Sequence, residues 1–223
     1  DARQESVPGF SRLVEGIETL DMAENLAGPI RIGKNMRPVA VSGPKNARNV
    51  LENVVAAAGT YGHGRIFAIA NSGFFGFDLP HADNRELGMN VLAWLDPEEK
   101  KTVCVRQTKW SFAIERSLLA AAWEEGYQLA KTVRGNHSLT EEDLQDCAIL
   151  VYDTRWDPIS QEEIQAVHSF VRRGGGLLLV GLGWSYGGGT LDKYPMNRIG
   201  ATLGVHYETG TLPGSARIVA EKP

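Results

Sequence analysis

The sequence predicts an α/β protein that contains a parallel sheet and a β-rich N-terminal portion. Strand and helix patterns alternate from residue 102 onward, which is typical of a parallel sheet covered by crossover helices. The runs at 148–151 and 177–180 are almost wholly apolar, as expected of strands buried on both faces. We expect residues 1–98 to form the β-rich portion and residues 99–223 the parallel sheet, together in one compact unit.

The N-terminal portion consists of short apolar runs separated by glycine turns. Gly62-His63-Gly64 separates two apolar runs, which predicts a hairpin. Apolar residues at i, i+3 and i+4 spacing predict an amphipathic helix that ends before Asp96-Pro97. The predicted elements are strands at 30–32, 39–41, 54–61 and 65–71, an aromatic loop or short strand at 73–77, and a helix at 85–95.

The C-terminal portion alternates strands with helices. Ser160 and Glu163 have the spacing of a capping box, which predicts a helix N-terminus at Ser160. Gly174-Gly175-Gly176 ends that helix before the next strand. The predicted strands lie at 103–106, 129–133, 148–153 and 177–180, and the predicted helices at 114–127, 140–144 and 160–173.

Composition and charge exclude several classes of protein. The 223 residues are 43% hydrophobic and 22% charged, as in ordinary globular domains. A net charge of −4 gives no support to a nucleic-acid partner, and we expect none. Since no run of 18 apolar residues occurs, we expect no membrane span. The compartment stays open between the cytosol, which the acidic composition fits, and secretion, which the sequon Asn136-His137-Ser138 fits. The oligomeric state is equally open.

The candidate ligand-binding crevice lies where two predicted strands end. In open α/β sheets, ligands bind beyond the carboxyl ends of the strands. Here the residues beyond those ends carry glycines, aromatic rings and polar groups, but neither a Walker phosphate loop nor a G-x-S-x-G motif. A structural turn with Trp184 packed on it remains an alternative. The candidate partner- or ligand-binding residues are Asp153, Arg155, Trp156 and Asp157 after one strand, and Gly181, Gly183, Trp184, Ser185 and Tyr186 in the loop 181–189 after the other.

Three segments of the chain carry a resemblance to known proteins. They read GTYGHGRIFAI at 59–69, VLAWL at 91–95, and GGGLLLVGLGWSY at 174–186 followed by YPMNR at 194–198. Together these segments resemble the N-terminal region of the TRP-channel-associated factor family. In related proteins the same region precedes an enhancin-like, mucin-degrading metallopeptidase domain. The resemblance runs in the same order from about residue 13 to residue 207. It implies a channel-associated factor or the accessory region of a metallopeptidase as the context of this chain.

The resemblance also implies a flavodoxin-like or class I glutamine-amidotransferase-like fold. In active amidotransferases a cysteine follows the central strand, and here that position is Gly181, which has no side chain to attack a carbonyl. His206-Tyr207-Glu208 has the spacing of the amidotransferase base pair but follows Gly181 too closely. We therefore expect a non-catalytic binding or scaffolding module, a pseudoenzyme whose partner is a protein or a glycan. The alternative is a hydrolase of a carbohydrate or small molecule that uses Asp153, Asp157 or Ser185.

No metal or cofactor is expected. A zincin needs H-E-x-x-H, and none of the five histidines is followed by glutamate. The loop with Asp78, His81 and Asp83 offers weak metal candidates, while a solvated loop is the commoner outcome for such a composition.

Two further questions stay open at the level of sequence. Cys104 and Cys147 begin strands that are neighbours if the strand order is 2-1-3, so they form either a disulfide or two small buried thiols. The aromatic residues in and near loops form either an exposed binding face or a lid over the core. They are Phe74, Phe75, Phe77, Trp110, Trp156, Trp184 and Tyr186.

Overall fold

A large mixed sheet runs through the whole protein. The computed structural model describes residues 7–22, 25–43, 50–108, 113–187 and 190–219. The strands in chain order are β1 (Thr19–Leu20), β2 (Leu26–Ala27), β3 (Ile30–Ile32), β4 (Met36–Ser42), β5 (Val54–Tyr61), β6 (Gly64–Ile69), β7 (Thr102–Gln107), β8 (Gln128–Arg134), β9 (Ile149–Tyr152), β10 (Gly176–Val180), β11 (Val205–Tyr207), β12 (Leu212–Pro213) and β13 (Ala216–Ile218).

The nine-stranded sheet has the order β1-β13-β4-β5-β6-β10-β9-β7-β8. Pairings from β1 to β6 are antiparallel, and pairings from β6 to β8 are parallel. β6 joins the two parts, because it forms a hairpin with β5 and pairs in parallel with β10, where Phe67 is opposite Leu178. The predicted α/β class and parallel segment are therefore confirmed in a sheet that also contains the N-terminal hairpin.

In the described residues, five α-helices and several single turns pack around the sheet. α2 contacts β6 and β10, and α4 contacts β6 and α5. All five residues of β10 are buried, as the apolar run in the sequence predicts. The α-helices are α1 (Phe10–Leu13), α2 (Asn84–Leu95), α3 (Ala120–Trp123), α4 (Gln161–Arg172) and α5 (Pro195–Leu203). In the part of the chain that the structure describes, no helix is long and apolar enough to cross a membrane.

The N-terminal cap of α4 forms in part as the sequence predicts. The Ser160 hydroxyl accepts a hydrogen bond from the Glu163 backbone N–H at 3.1 Å. The Glu163 carboxylate, however, turns into the protein instead of returning to the backbone of the cap. Ser160 and Glu163 thus form one of the two hydrogen bonds of a capping box. The Glu163 carboxylate instead accepts hydrogen bonds from side chains inside the protein.

Several predicted elements differ from those observed. The aromatic stretch predicted as a loop or strand at 73–77 contains a 3-10 turn at Ser72–Phe75, which the Asn71 side chain caps by accepting from the Gly73 N–H. The helix predicted at 114–127 begins as a π-helical turn at Glu115–Leu119 and continues as α3. The helix predicted at 140–144 is a 3-10 turn at Glu142–Leu144. The elements α1, α5, β1, β2 and β11–β13 were not predicted from the sequence.

A disulfide joins Cys104 to Cys147, with 5.8 Å between the two Cα atoms. Cys104 lies in β7 and Cys147 lies two residues before β9, and these two strands pair in parallel. The order β8-β7-β9 is the 2-1-3 order that the sequence analysis named as the condition for a disulfide. The disulfide alternative is therefore the one that the structure supports.

Candidate functional site

The carboxyl ends of β9 and β10 lie side by side and carry the predicted crevice residues. The indole Nε1 of Trp156 donates a hydrogen bond to Ser185 Oγ at 2.9 Å, which joins the loop after β9 to the loop after β10. Ser185 Oγ in turn donates to the Leu182 carbonyl at 2.7 Å. The structure thus brings the two predicted segments together. Residues 188 and 189 of the predicted loop lie outside the described residues.

The tip of β10 has no room for a side chain. A Cβ atom at Gly181 would be 2.5 Å from Cε2 of Tyr207, a distance that real Cβ atoms essentially never show. The Tyr207 ring is 1% exposed, and its hydroxyl donates to the Leu179 carbonyl at 2.8 Å. Burial raises the pKa of that phenol well above its ordinary value, so it stays neutral. The space beside the tip of β10 is therefore filled by the ring of Tyr207.

Gly183 is just as constrained. A Cβ there would collide with the backbone carbonyl of Glu208. The loop after β10 is thus packed directly against β11 and the residue that follows it. Glycine is required at Gly181 by the Tyr207 ring and at Gly183 by the neighbouring backbone, and at neither position by an unusual backbone angle.

The His206-x-Glu208 pair lies away from the tip of β10. Side chains on a strand alternate between its two faces, so His206 points away from the face on which Tyr207 packs against Gly181. His206 Nδ1 is 3.2 Å from Glu208 Oε1, and Arg31 Nε lies 2.9 Å from the same oxygen. A His–Glu contact does form, but His206 lies on the opposite face of β11 from the Tyr207 ring.

A buried ionic cluster supports the loop after β9. Glu163 Oε1 accepts hydrogen bonds from Arg106 Nε and from the Tyr152 hydroxyl, both at 2.7 Å. Arg155 Nη1 approaches the same oxygen at 3.6 Å. Burial and the adjacent carboxylate raise the pKa of Tyr152 well above its ordinary value. The Glu163 carboxylate thus accepts a hydrogen bond from Arg106 and forms an ion pair with Arg155 beneath the crevice.

Asp153 and Arg155, both predicted as binding residues, are buried. Asp153 is 1% exposed, and its Oδ1 accepts a hydrogen bond from the Thr154 backbone N–H at 2.7 Å. Arg155 is 4% exposed beside Glu163. Asp157, by contrast, is exposed. The pairing of Arg106 with Glu163 was not predicted from the sequence. Arg106 looked like an ordinary residue of a strand, and Glu163 looked like part of a helix cap.

The loop aromatics divide into a buried and an exposed set. Phe74 and Phe75 are fully buried. Tyr186 is half-buried and packs on Tyr194, with 4.9 Å between the ring centroids, and the Tyr194 hydroxyl accepts from the Leu182 N–H at 2.8 Å. Trp110 lies outside the described residues. The exposed set consists of Phe77 (75%), Trp156 (38%) and Trp184 (40%), which come after β6, β9 and β10 along the chain; we call these three residues the aromatic edge.

The weak metal candidates have other roles. Asp83 Oδ2 accepts hydrogen bonds from the backbone N–H groups of Glu18 and Thr19 at 2.9 and 3.0 Å. These two bonds, with Thr19 contributing most, lower the pKa of Asp83. Asp78 Oδ2 accepts from Asn25 Nδ2, and His81 Nδ1 lies 3.8 Å from Asp78 Oδ1. Among the described residues no group of three or more metal-ligating side chains is positioned to hold an ion.

The fold and the crevice together define a class: a mixed α/β domain in which the glycine that follows a central parallel strand lies under a packed tyrosine ring. The family model described as "TRPM8, N-terminal domain" matches residues 4–217, and the chain belongs to this family. The resemblance read from the three sequence segments is thereby confirmed.

Relatives of known name agree with the family match. The chain is 26% identical over 159 residues to the TRPM8 channel-associated factor homolog of Xenopus laevis, which covers 69% of this chain and 15% of the relative. It is 27% identical over 225 residues to TRPM8 channel-associated factor 2 of Bos taurus, and this match covers 96% of this chain and 21% of the relative. The chain therefore spans about a fifth of the length of such relatives.

The fold is similar to part of a bacterial metallopeptidase. IMPa from Pseudomonas aeruginosa in complex with an O-glycopeptide superimposes with a TM-score of 0.64 at 15% identity, over 92% of this chain and 23% of IMPa. The structure of IMPa in complex with T-antigen gives a TM-score of 0.60 at 14% identity. At these identities the likeness concerns the fold alone.

Proposed function

We propose that this chain is a non-catalytic, amidotransferase-like binding module of a larger protein, and that it binds a protein partner through the aromatic edge. The packing of Tyr207 against Gly181 carries the proposal, because it fills the place of a nucleophile with an inert ring. The parallel strand order β8-β7-β9-β10, followed by a glycine loop, supports the amidotransferase-like description.

The hydrolase alternative has weaker support. A nucleophile, its base and an orienting group must lie within hydrogen-bond reach in one cleft. Ser185 Oγ is engaged by Trp156 and the Leu182 carbonyl, and among the described residues no histidine is hydrogen-bonded to it. Asp153 is buried against its own loop backbone, and Asp157 is exposed. These positions favour a supporting role for the polar residues of the crevice.

The aromatic edge has the features of a recognition surface. Tryptophan and other large aromatic rings dominate binding energy at protein interfaces, and three of them are partly or largely exposed here. The hydrogen bond from Trp156 to Ser185 orders one of the rings before any partner arrives, which reduces the entropy cost of binding. The relatives are named as factors associated with the TRPM8 channel, so we propose a channel of this type as the partner.

A glycan is the second candidate ligand of the same surface. Its support is the likeness to IMPa, whose structures contain an O-glycopeptide and T-antigen, together with the exposed indole rings of Trp156 and Trp184. Aromatic faces suit the apolar face of a sugar ring as well as a protein side chain. A channel protein and a glycan can be offered to the chain as separate probes, so one experiment distinguishes the two candidate ligands.

The test measures binding of the chain to purified, detergent-solubilised TRPM8 and, in parallel, to the T-antigen disaccharide. Three variants are compared with wild type: Trp156→Ala, Trp184→Ala, and Trp123→Ala as a matched control, since Trp123 is 66% exposed but lies in α3 and not on the aromatic edge. We expect the channel to bind wild type and the control, and each edge variant to lose about 1–2 kcal/mol of binding free energy.

Each outcome distinguishes the candidates. Binding of the disaccharide alone, lost in the edge variants, favours the glycan. Equal binding by all variants contradicts the aromatic edge as the surface, and binding of neither probe contradicts both candidates. Release of ammonia from glutamine by purified protein would contradict the non-catalytic description.

A further inference from the structure

The turn after β8 contains a glycosylation sequon in an accessible position. Asn136, His137 and Ser138 are all exposed, and β8 is the outermost strand of the sheet. Among the described residues neither the Asn136 amide nor the Ser138 hydroxyl has a hydrogen-bond partner. The Asn136 amide and the Ser138 hydroxyl are therefore exposed to solvent and do not hold other parts of the fold in place.

The turn is held in place on both sides while its tip stays free. On the N-terminal side, the buried Arg106 donates from Nη2 to the Gly135 carbonyl at 3.2 Å, and Gly135 has a φ of 63°, which suits glycine. On the C-terminal side, Leu139 is 1% exposed, and the Thr140 N–H donates to Asp143 Oδ2 at 3.0 Å. An ordered, protruding tripeptide between two anchors remains accessible after the chain has folded.

A second, independent observation concerns the environment in which the chain folds. The Cys104–Cys147 disulfide links the amino ends of two neighbouring strands. Disulfides form and persist in oxidising compartments, where N-linked glycosylation also takes place, and they are rare in the cytosol. The disulfide therefore points to the same compartment that the sequon requires.

We propose that Asn136 is an N-glycosylation site that is used during folding in a secretory compartment. The Asn136 amide nitrogen attacks C1 of an oligosaccharide carried on a lipid diphosphate, with an oligosaccharyl transferase as catalyst. The N–C1 bond forms, the bond between C1 and the diphosphate oxygen breaks, the amide gives up one proton to a base of the transferase, and the lipid diphosphate leaves. No oxidation or reduction is involved.

The location gives such a glycan a physical role. β8 is an edge strand with Leu129 at 43% exposure, and Trp123 beside it is 66% exposed. Exposed edge strands are templates for pairing with other chains, and native proteins usually cover or charge them. A glycan at the second residue after β8 stands beside this edge and hinders the approach of a second sheet.

The test expresses the full chain behind a secretory leader in cultured eukaryotic cells. The mass of the chain recovered from the endoplasmic reticulum is measured before and after digestion with a peptide N-glycosidase. We expect wild type to carry one oligosaccharide, whose removal leaves aspartate at position 136. Asn136→Gln and Ser138→Ala should carry none, while His137→Ala and Ser138→Thr, which preserve the sequon in the same turn, should retain it.

Two results would overturn the proposal. One is a wild-type chain that forms the disulfide in the endoplasmic reticulum and yet carries no glycan. The other is a glycan that persists in Asn136→Gln. Because glycan transfer is measured in the endoplasmic reticulum, neither result depends on whether a variant is exported.

Discussion

The Tyr207 ring occupies the space that any side chain at Gly181 would need, with 2.5 Å between Tyr207 Cε2 and a Cβ at position 181. The ring is held there by its hydrogen bond to the Leu179 carbonyl and by full burial. A larger side chain at position 181 therefore requires a change at Tyr207 as well. This packing excludes a reactive side chain from the tip of β10, which supports the non-catalytic role that we propose.

Gly181→Ala should lower the free energy of unfolding by about 1–3 kcal/mol, because a methyl group forced into a packed core displaces its neighbours. Urea unfolding followed by tryptophan fluorescence measures the change. Gly187→Ala is the matched control, since a Cβ at Gly187 meets nothing within 4 Å, and it should be nearly neutral. In the double variant with Tyr207→Ala, the Gly181→Ala substitution should cost much less; a full, additive cost would contradict the steric explanation.

Glu163→Ala should destabilise the protein by about 3–5 kcal/mol, because it leaves the buried Arg106 and Arg155 without their carboxylate. Chemical denaturation at neutral pH checks this value. Glu162→Ala, one residue earlier in the first turn of α4, is the control and should have a much smaller effect, as is usual for an exposed residue near a helix N-terminus. Similar losses in the two variants would show that helix capping, and not the buried cluster, accounts for the effect.

The contribution of Asp83 to stability should decrease in acid. Its pKa is lowered in the folded state by the N–H groups of Thr19 and Glu18, so the fold favours the carboxylate over the protonated form. The stabilisation is therefore fully present above the unfolded-state pKa and is lost as the pH falls through the lower, folded-state pKa. Urea midpoints of wild type and Asp83→Asn should differ most near neutral pH and converge in acid.

Asp157→Asn provides the matched control for that pH series, because Asp157 is an exposed aspartate in the loop after β9. Its midpoint should follow that of wild type across the same pH range. A gap between wild type and Asp83→Asn that stays constant down to the lowest pH would contradict the role assigned to the two backbone hydrogen bonds.

Reduction of the Cys104–Cys147 disulfide should cost about 3–4 kcal/mol of stability, since the bond closes a loop with a sequence separation of 43 residues in the unfolded chain. The measurement is guanidinium unfolding with and without a reductant. A Cys104→Ala/Cys147→Ala variant should unfold at the same denaturant concentration under both conditions. If the guanidinium midpoint of wild type does not change when the reductant is added, the disulfide does not restrict the unfolded state.

Much of the sheet could be predicted from local patterns. β5 and β6 follow from two apolar runs around Gly62-His63-Gly64, and β10 follows from an apolar run bounded by glycines. The sequence left the cysteines open between a disulfide and two thiols, and the observed 2-1-3 order is the one under which a disulfide was possible. These features are predictable because they depend on neighbours in sequence or on one topological rule.

The rest depends on contacts between distant residues. Nothing near Glu163 in the sequence indicates that its carboxylate meets Arg106, which is 57 residues away. Likewise, the polar residues after β9 predict a ligand site equally well whether they face solvent or, like Asp153 and Arg155, lie buried. Tyr207 belongs to a short strand with no clear local pattern, so its position over Gly181 emerges only in three dimensions.

The position of β13 has a consequence for synthesis on the ribosome. β13 lies between β1 and β4, so both of these strands lack this partner until a much later segment has been synthesised. Domains generally fold as units during translation, and an open strand edge favours association with other chains in the interval. The nascent chain thus exposes the edge of β4 until residue 218 leaves the exit tunnel, and that interval is when a chaperone would be most useful to it.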